Sequence, residues 1–276
     1  MRLLLIRHGE SVDNVAGLYA GSRDSPLTNH GVLQAKRLGV HIADHSAAIG
    51  PVGHIFASDL QRAYRTADAV ADACKTKVGQ STSSVTLGVI RLKELREKDF
   101  GSSEGKKFGI RENSDGSETP ESMRLRIDRF LDHHLNPIVD QFMSGNRTAV
   151  GSIVIVSHGI ILNVLLKALL SRHPPKPTSE KPIVDRSSSE YLASWSNTGV
   201  LQARWELSGS STSTRQHSTR KLHITVEHTN NTDHLHGLKK TRGGIGSAKF
   251  DSRQRTMDSF FASASKKRKF DDAEVS

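Results

Sequence analysis

Short apolar runs alternate along this chain with segments whose apolar residues recur every three or four positions. Leu3 to Ile6 is wholly apolar, as in a strand covered on both faces at the centre of a parallel sheet. Ile153 to Val156 is a second such run, and His54 to Ala57 predicts a further short strand. Between them, Val32, Ala35, Leu38 and Ile42 keep helical spacing after Thr28, which predicts a helix to about His45. Ser58 and Asp59 are natural caps for another over Leu60 to Cys74, with Ala63, Ala67, Val70 and Ala71 on one side. Val85 to Leu92 reads as a strand. Thr119-Pro120-Glu121 starts a further helix that carries Met123, Ile127, Phe130, Leu131, Leu135, Ile138 and Phe142. Pro137 should kink or split it. Ile160 to Ser171 predicts the next helix. Leu192 to Trp195, Val200 to Leu207 and Leu222 to Glu227 predict the remaining strands. Strands alternating with helices define the α/β class.

The intervening segments differ in kind. Ser11 to Pro26 is a polar loop. Glu94 to Gly116 is charged and glycine-rich with no sustained period, and it reads as an excursion that forms a site. Residues 173–189 and 208–219 read as flexible loops, the second of low complexity. From Thr229 onward no buried face is apparent. Residues 1–228 are therefore expected to fold as one domain and residues 229–276 to form a disordered basic tail. An apolar content of 35% and an aromatic content of 5% fit a chain that is only partly core. The net charge of +10 is concentrated at the end: Lys239 to Ser276 holds ten Lys or Arg against five Asp or Glu. The single cysteine, Cys74, excludes an intramolecular disulfide framework and suits a reducing compartment. The first strand follows a single arginine, so no secretory leader is expected. The longest apolar stretch, Ile160 to Leu170, contains Asn163 and Lys167 and is too short to span a bilayer.

Two apolar runs end alike. The first stops at Arg7, His8 and Gly9, the second at Ser157, His158 and Gly159. The carboxyl ends of central strands are where open α/β sheets bind their ligands, and glycine after His8 would let the backbone approach an anion closely. Gathered with Arg62 and Glu97, these residues make a chemical set. Two arginines supply forked donors for phosphate oxygens. A neutral histidine supplies a nucleophilic nitrogen. A carboxylic acid protonates a leaving oxygen. Phosphoryl transfer uses all of them. Metal binding is the competing explanation for paired histidines, but two cations beside a divalent metal are costly.

Several segments together resemble the histidine phosphatase superfamily, also called phosphoglycerate-mutase-like. They are Leu5-Ile6-Arg7-His8-Gly9-Glu10-Ser11, the loop and helix start from Gly21 to Gly31, Ser58 to Ala63 around Arg62, Leu95 to Gly105 around Glu97, Gly116 to Ser122, and Ser157-His158-Gly159. The resemblance covers most of the first 228 residues. It implies a three-layer sandwich with a central, mostly parallel sheet flanked by helices. It implies that His8 becomes a phosphohistidine, that Arg7, Arg62 and His158 hold the transferring oxygens, and that Glu97 acts as acid and then base. Glu94, three residues earlier, is the rival acid. Asn14, Gly21, Arg23 and Gly159 are implied to line the phosphate site. No cofactor or metal is implied. Glu97-Lys98-Asp99-Phe100-Gly101 lacks the Tyr-Gly segment and insertion of the cofactor-dependent mutases, so hydrolysis of a phosphorylated small molecule or phosphoprotein is expected over isomerisation.

The tail makes a separate claim. Gln254, Met257, Phe260 and Phe261 have the spacing of a peptide that binds a sliding clamp, the proliferating cell nuclear antigen. One 3₁₀-like turn would set Met257 and the two Phe on one side as an apolar plug. Lys266-Lys267-Arg268-Lys269 follows and reads as a nuclear import signal or a salt-dependent, non-specific nucleic-acid contact. The nucleus is the expected location, with the cytoplasm as the alternative. A chain that is mainly an interaction protein on a phosphatase-like fold is the competing reading.

Overall fold

The computed structural model describes residues 1–78, 87–109, 116–145, 151–176, 193–208 and 221–239. Along β1 (Arg2–Arg7), Leu3 and Leu5 enter one core while Leu4 and Ile6 enter another, the period-two result of a strand covered on both faces. The loop expected after it contains a short helix, α1 (Val12–Ala16). Ser11 caps α1 through Asn14 N, and the Asn14 side chain accepts from Ser11 N in return. Helix α2 (Asn29–Asp44) is capped by Thr28 and is followed by the single turn of α3 (Ser46–Ile49). Strand β2 (Val52–Ser58) leads into α4 (Gln61–Val78), and β3 (Val89–Leu92) is shorter than its apolar pattern suggested.

The long helix predicted after Thr119 is split, as Pro137 requires. Helix α5 (Pro120–Phe130) passes through one π-helical turn, Leu131–Leu135, where Asn136 N donates to Leu131 O, and continues as α6 (Asn136–Met143). Proline has no N–H, and its ring crowds the carbonyl of the preceding turn; one widened turn removes both conflicts. Strand β4 (Ser152–Ser157) is buried at every position, and α7 (Gly159–Arg172) follows it directly.

Six strands form one sheet in the order β3-β2-β4-β1-β5-β6. The first four are mutually parallel; β5 (Val200–Ser208) and β6 (Lys221–Asn231) add an antiparallel edge. Helices α2 and α4 cover one face through Leu38, Ile42, Ala63, Ala67 and Val70. Helices α5, α6 and α7 cover the other through Ile127, Phe130, Ile138, Leu162 and Leu165. The result is an α/β three-layer sandwich with a mostly parallel sheet. Cys74 is a free thiol on the buried face of α4. Among the described residues no helix is long and apolar enough to cross a membrane.

Two expectations are corrected. Ala193 to Trp195 is not a strand: Ala193 N and Trp195 Nε1 both donate to Asn163 Oδ1 of α7, and Trp195 O accepts from Arg7, so no ladder forms. The folded unit also does not end at residue 228. Strand β6 runs to Asn231, and a 3₁₀ turn at Asp233–Leu235 buries His234, whose Nε2 donates to Thr198 Oγ1 at 2.9 Å. Arg37 of α2 then donates to His236 O. Polar residues fasten this extension, so no apolar period announces it. The clamp-like peptide 254–261 and the basic run 266–269 lie outside the described residues, as do most of the loops at 173–189 and 208–219.

Candidate active site

The register of the sheet builds the centre. Arg7 of β1 pairs with Ser157 of β4, so the next residue of each strand, His8 and His158, emerges beside the other. Their rings lie 5.0 Å apart, edge to face. Both are buried. His8 N donates to Ser157 O, which ties the two strand ends together. Asn197 Nδ2 donates to His8 O, and Thr198 N donates to the carbonyls of Arg7 and His8. Gly9 does not open the backbone toward an anion. A Cβ there would stand 2.7 Å from Gly31 O, so the glycine serves the packing of the loop onto α2.

Hydrogen bonds fix the tautomers. His8 Nδ1 is 2.7 Å from Gly9 O. A carbonyl only accepts, so Nδ1 carries the proton and Nε2 of the neutral ring presents its lone pair. Burial, and then the charges of Arg62 and Arg7, push the His8 imidazolium well below the usual histidine range, so the ring is neutral at pH 7. In His158 the roles reverse. Arg62 Nε donates to His158 Nδ1 at 3.2 Å, leaving the proton on Nε2. Burial, then Arg62, His8 and Arg7, hold this ring neutral too.

Arg62 is only 1% exposed. Its Nη1 donates to Arg23 O at 2.6 Å, and its Nη2 donates to Ala20 O and Gly21 O at 2.9 and 3.1 Å. With the bond to His158, four of its five N–H groups are engaged. Burial pulls its pKa down to about 10, against the opposing charges of Glu97, Asp24, Asp13 and Glu104, and it stays cationic at neutral pH. Arg7 is less committed. Its Nη1 donates to Trp195 O, while its buried Nε has no acceptor among the described residues. His158 Nε2 likewise has none. Two buried donors without acceptors among the described residues, beside a histidine lone pair, suit an anion's oxygens.

Glu97 faces this centre, and its charge acts on both Arg7 and Arg62. The Glu97 carboxyl accepts from Ile160 N and Ile161 N at 3.1 Å each, at the N-terminus of α7, and from Lys98 N at 2.9 Å. Glu104 clamps the opposite loop by accepting from Gly21, Ser22, Arg23 and Phe100 N–H groups. A cavity of about 340 Å³ opens beside Glu97, lined also by Ser22, Lys93, Arg96, Asp99 and Glu118.

The structure thus brings Arg7, His8, Arg62, His158 and Glu97 together. Around them, Gly21, Arg23, Asn14 and Gly159 make contacts within the protein. Gly21 spends its N–H on Glu104 and its carbonyl on Arg62. Arg23 turns its side chain to Asp13 at 3.2 Å and is 48% exposed there; its carbonyl is what reaches Arg62. Asn14 uses Oδ1 on Ser11 N and Asn197 Nδ2. Gly159 opens α7. Sequence reasoning did not find Arg126, Glu118, Glu104, Asn197 or Thr198. An isolated Glu or Asn in a loop carries no periodic signal, and only the closed fold shows which backbone groups each one meets.

A histidine presenting its Nε2 lone pair, a second histidine that donates, two arginines and a carboxyl gather at the carboxyl ends of a parallel sheet, a set suited to phosphoryl transfer. The chain belongs to the histidine phosphatase superfamily (branch 1), whose family pattern matches residues 3–201. It is 31% identical over 268 residues to a probable phosphatase of Schizosaccharomyces pombe, covering 93% of this chain and 78% of that protein. It is 30% identical over 176 residues to a probable phosphoglycerate mutase, GpmB, of Erwinia tasmaniensis, covering 62% of this chain and 75% of that one. The crystal structure of a phosphoglycerate mutase from Bacillus anthracis shares the fold with a TM-score of 0.55 at 20% identity, over 86% of this chain and 95% of its own.

Proposed function

We propose that the protein is a phosphomonoester hydrolase that works through a phosphohistidine on His8. The tautomer of His8 carries this reading: Nδ1–H is held by Gly9 O, which leaves the Nε2 lone pair on a neutral ring beside two arginines. In the first step Nε2 attacks phosphorus and the P–O ester bond breaks. Arg7, Arg62 and His158 Nε2–H take the charge on the equatorial oxygens. The Glu97 carboxyl gives its proton to the departing alcohol oxygen. In the second step water attacks the phosphohistidine, Glu97 takes its proton, the P–N bond breaks and inorganic phosphate leaves.

Hydrolysis is favoured over isomerisation because the phosphatase-named relative aligns with 93% of the chain and the GpmB mutase with 62%. The polar cavity beside Glu97 supports a phosphorylated small molecule as substrate. The basic run Lys266 to Lys269 supports a nuclear site of action. Rapid quenching with a radiolabelled phosphate ester tests the chemistry. The expected result is acid-labile, base-stable label on the protein that is absent in His8→Ala. Label that survives His8→Ala, or efficient isomerisation of 3-phosphoglycerate with its bisphosphate cofactor, would overturn the proposal.

A further inference from the structure

Arg126 lies on α5, away from the strand ends that carry the catalytic groups, yet it is buried. All five of its N–H donors are engaged. Nη1 donates to Glu94 O and Arg96 O at 2.6 and 2.7 Å. Nη2 donates to Glu97 O at 3.1 Å and Glu118 Oε2 at 2.9 Å, and Nε donates to Glu118 Oε1 at 2.8 Å. No donor remains for a substrate, although the side chain lines the cavity beside Glu97.

Its acceptors show its task. The acid-bearing segment leaves a 3₁₀ turn, Lys93–Leu95, and has no strand ladder to occupy its carbonyls. Four consecutive ones, at Glu94, Leu95, Arg96 and Glu97, are instead bound by side chains: three by Arg126, and that of Leu95 by Ser157 Oγ at 2.6 Å. Glu118 closes the far side as a bidentate partner. Burial works to raise the Glu118 pKa, and the Arg126 hydrogen bonds and charge outweigh it, leaving a carboxylate below its usual range. The planar guanidinium suits this arrangement because its donors point in fixed directions within one plane.

We infer that Arg126 is the positioning residue of the catalytic acid, fixing the backbone of Glu97 so that its carboxyl meets the leaving oxygen. The inference rests on the role proposed for Glu97. Proton delivery matters for a poor leaving group and hardly at all for a good one, so the two kinds of ester separate positioning from general damage. Arg126→Lys is expected to lower kcat/KM for β-glycerophosphate by about 10²-fold and for 2,4-dinitrophenyl phosphate by less than about threefold. Glu97→Gln should show the same discrimination. In a Glu97→Gln background, Arg126→Lys should cause no further loss on β-glycerophosphate.

Equal losses on both esters, or a full loss that persists in the Glu97→Gln background, would overturn the inference. If Glu97→Gln itself fails to discriminate, the acid assignment falls and takes the inference with it. If Glu97→Gln discriminates and Arg126→Lys does not, only the inference falls. Should Arg126→Lys not fold by thermal melting, Glu118→Gln frees one edge of the guanidinium while keeping its charge. It is expected to discriminate between the esters in the same direction, and a Glu118→Gln enzyme that does not would refute the positioning role.

Discussion

Replacing Gly21 by alanine tests the construction of the anion site from its least conspicuous part. A Cβ built there stands 1.8 Å from Lys98 O and 2.6 Å from Glu104 Oε1. Carbon contacts are comfortable only from about 3.5 Å outward, so the two loops must part by more than about 1 Å. Both neighbours resist: one is backbone, and the other is a carboxylate that accepts from four backbone N–H groups. The displacement acts on the residues whose carbonyls hold Arg62, namely Ala20, Gly21 and Arg23. A shift of this size at a reacting group costs on the order of 10²-fold in rate. The overpacking itself costs about 1–3 kcal/mol of stability.

The assay is kcat/KM for an aryl phosphate beside a denaturant melt. Gly53→Ala serves as control, because a Cβ at Gly53 meets nothing within 4 Å. The expected outcome for Gly21→Ala is a folded protein, destabilised and about 10²-fold slower, while Gly53→Ala keeps the parental rate. A Gly21→Ala enzyme within threefold of the parent would show that Arg62 does not depend on this loop, and would refute the cradle argument.

Three further outcomes are expected, two from the geometry and one from the sequence of the tail. His8 and His158 have folded pKa values well below 6.5, and that of His234 falls to about 4 through burial and the charge of His41. Their contribution to stability is complete above the unfolded value of about 6.5. It is lost as pH falls below that value by up to about 1.4 kcal/mol per pH unit for each fully buried ring, because the unfolded chain binds protons that the folded chain does not. Urea unfolding at pH 7.5 and 5.5 should show this slope, and His158→Gln should flatten it. Truncation after residue 228 removes the His234 bond to Thr198, whose N–H reaches the carbonyls of Arg7 and His8. It should reduce turnover and the melting temperature, whereas truncation after Lys239 should leave both unchanged. A peptide spanning Thr241 to Lys269 is expected to bind a sliding clamp in calorimetry, and Phe260→Ala with Phe261→Ala is expected to abolish that binding.

The fold was legible where a strand is covered on both faces, because Leu3 to Ile6 and Ile153 to Val156 cannot be placed elsewhere. The histidine pair was legible for the same reason, since each follows such a run. What escaped was held by polar groups. Helix α1 has five residues and a capping box in place of an apolar face. The last stretch of β6 is fastened by Asn230, whose Oδ1 accepts from Ser196 N. Arg126 sits in a helix that also carries Arg124 and Arg129 and gives no sequence signal, because what distinguishes it is burial against a distant loop. Trp195 resembles a strand residue, but the Asn163 side chain stands in for a strand ladder by accepting from Ala193 N and Trp195 Nε1.

The cradle around Arg62 consists of main-chain carbonyls, and so do three of the five acceptors around Arg126. Carbonyls persist whatever residue bears them. The side chains of Ser22, Lys93 and Asp99, which border the cavity, therefore stand outside both sets of bonds. Mutation of these three side chains alters the lining of the cavity and leaves the hydrogen bonds around Arg62 and Arg126 in place. Variation at the cavity wall is in this way uncoupled from the assembly of the arginine clamps, and a laboratory selection for altered ligand preference has its natural starting library at those three positions.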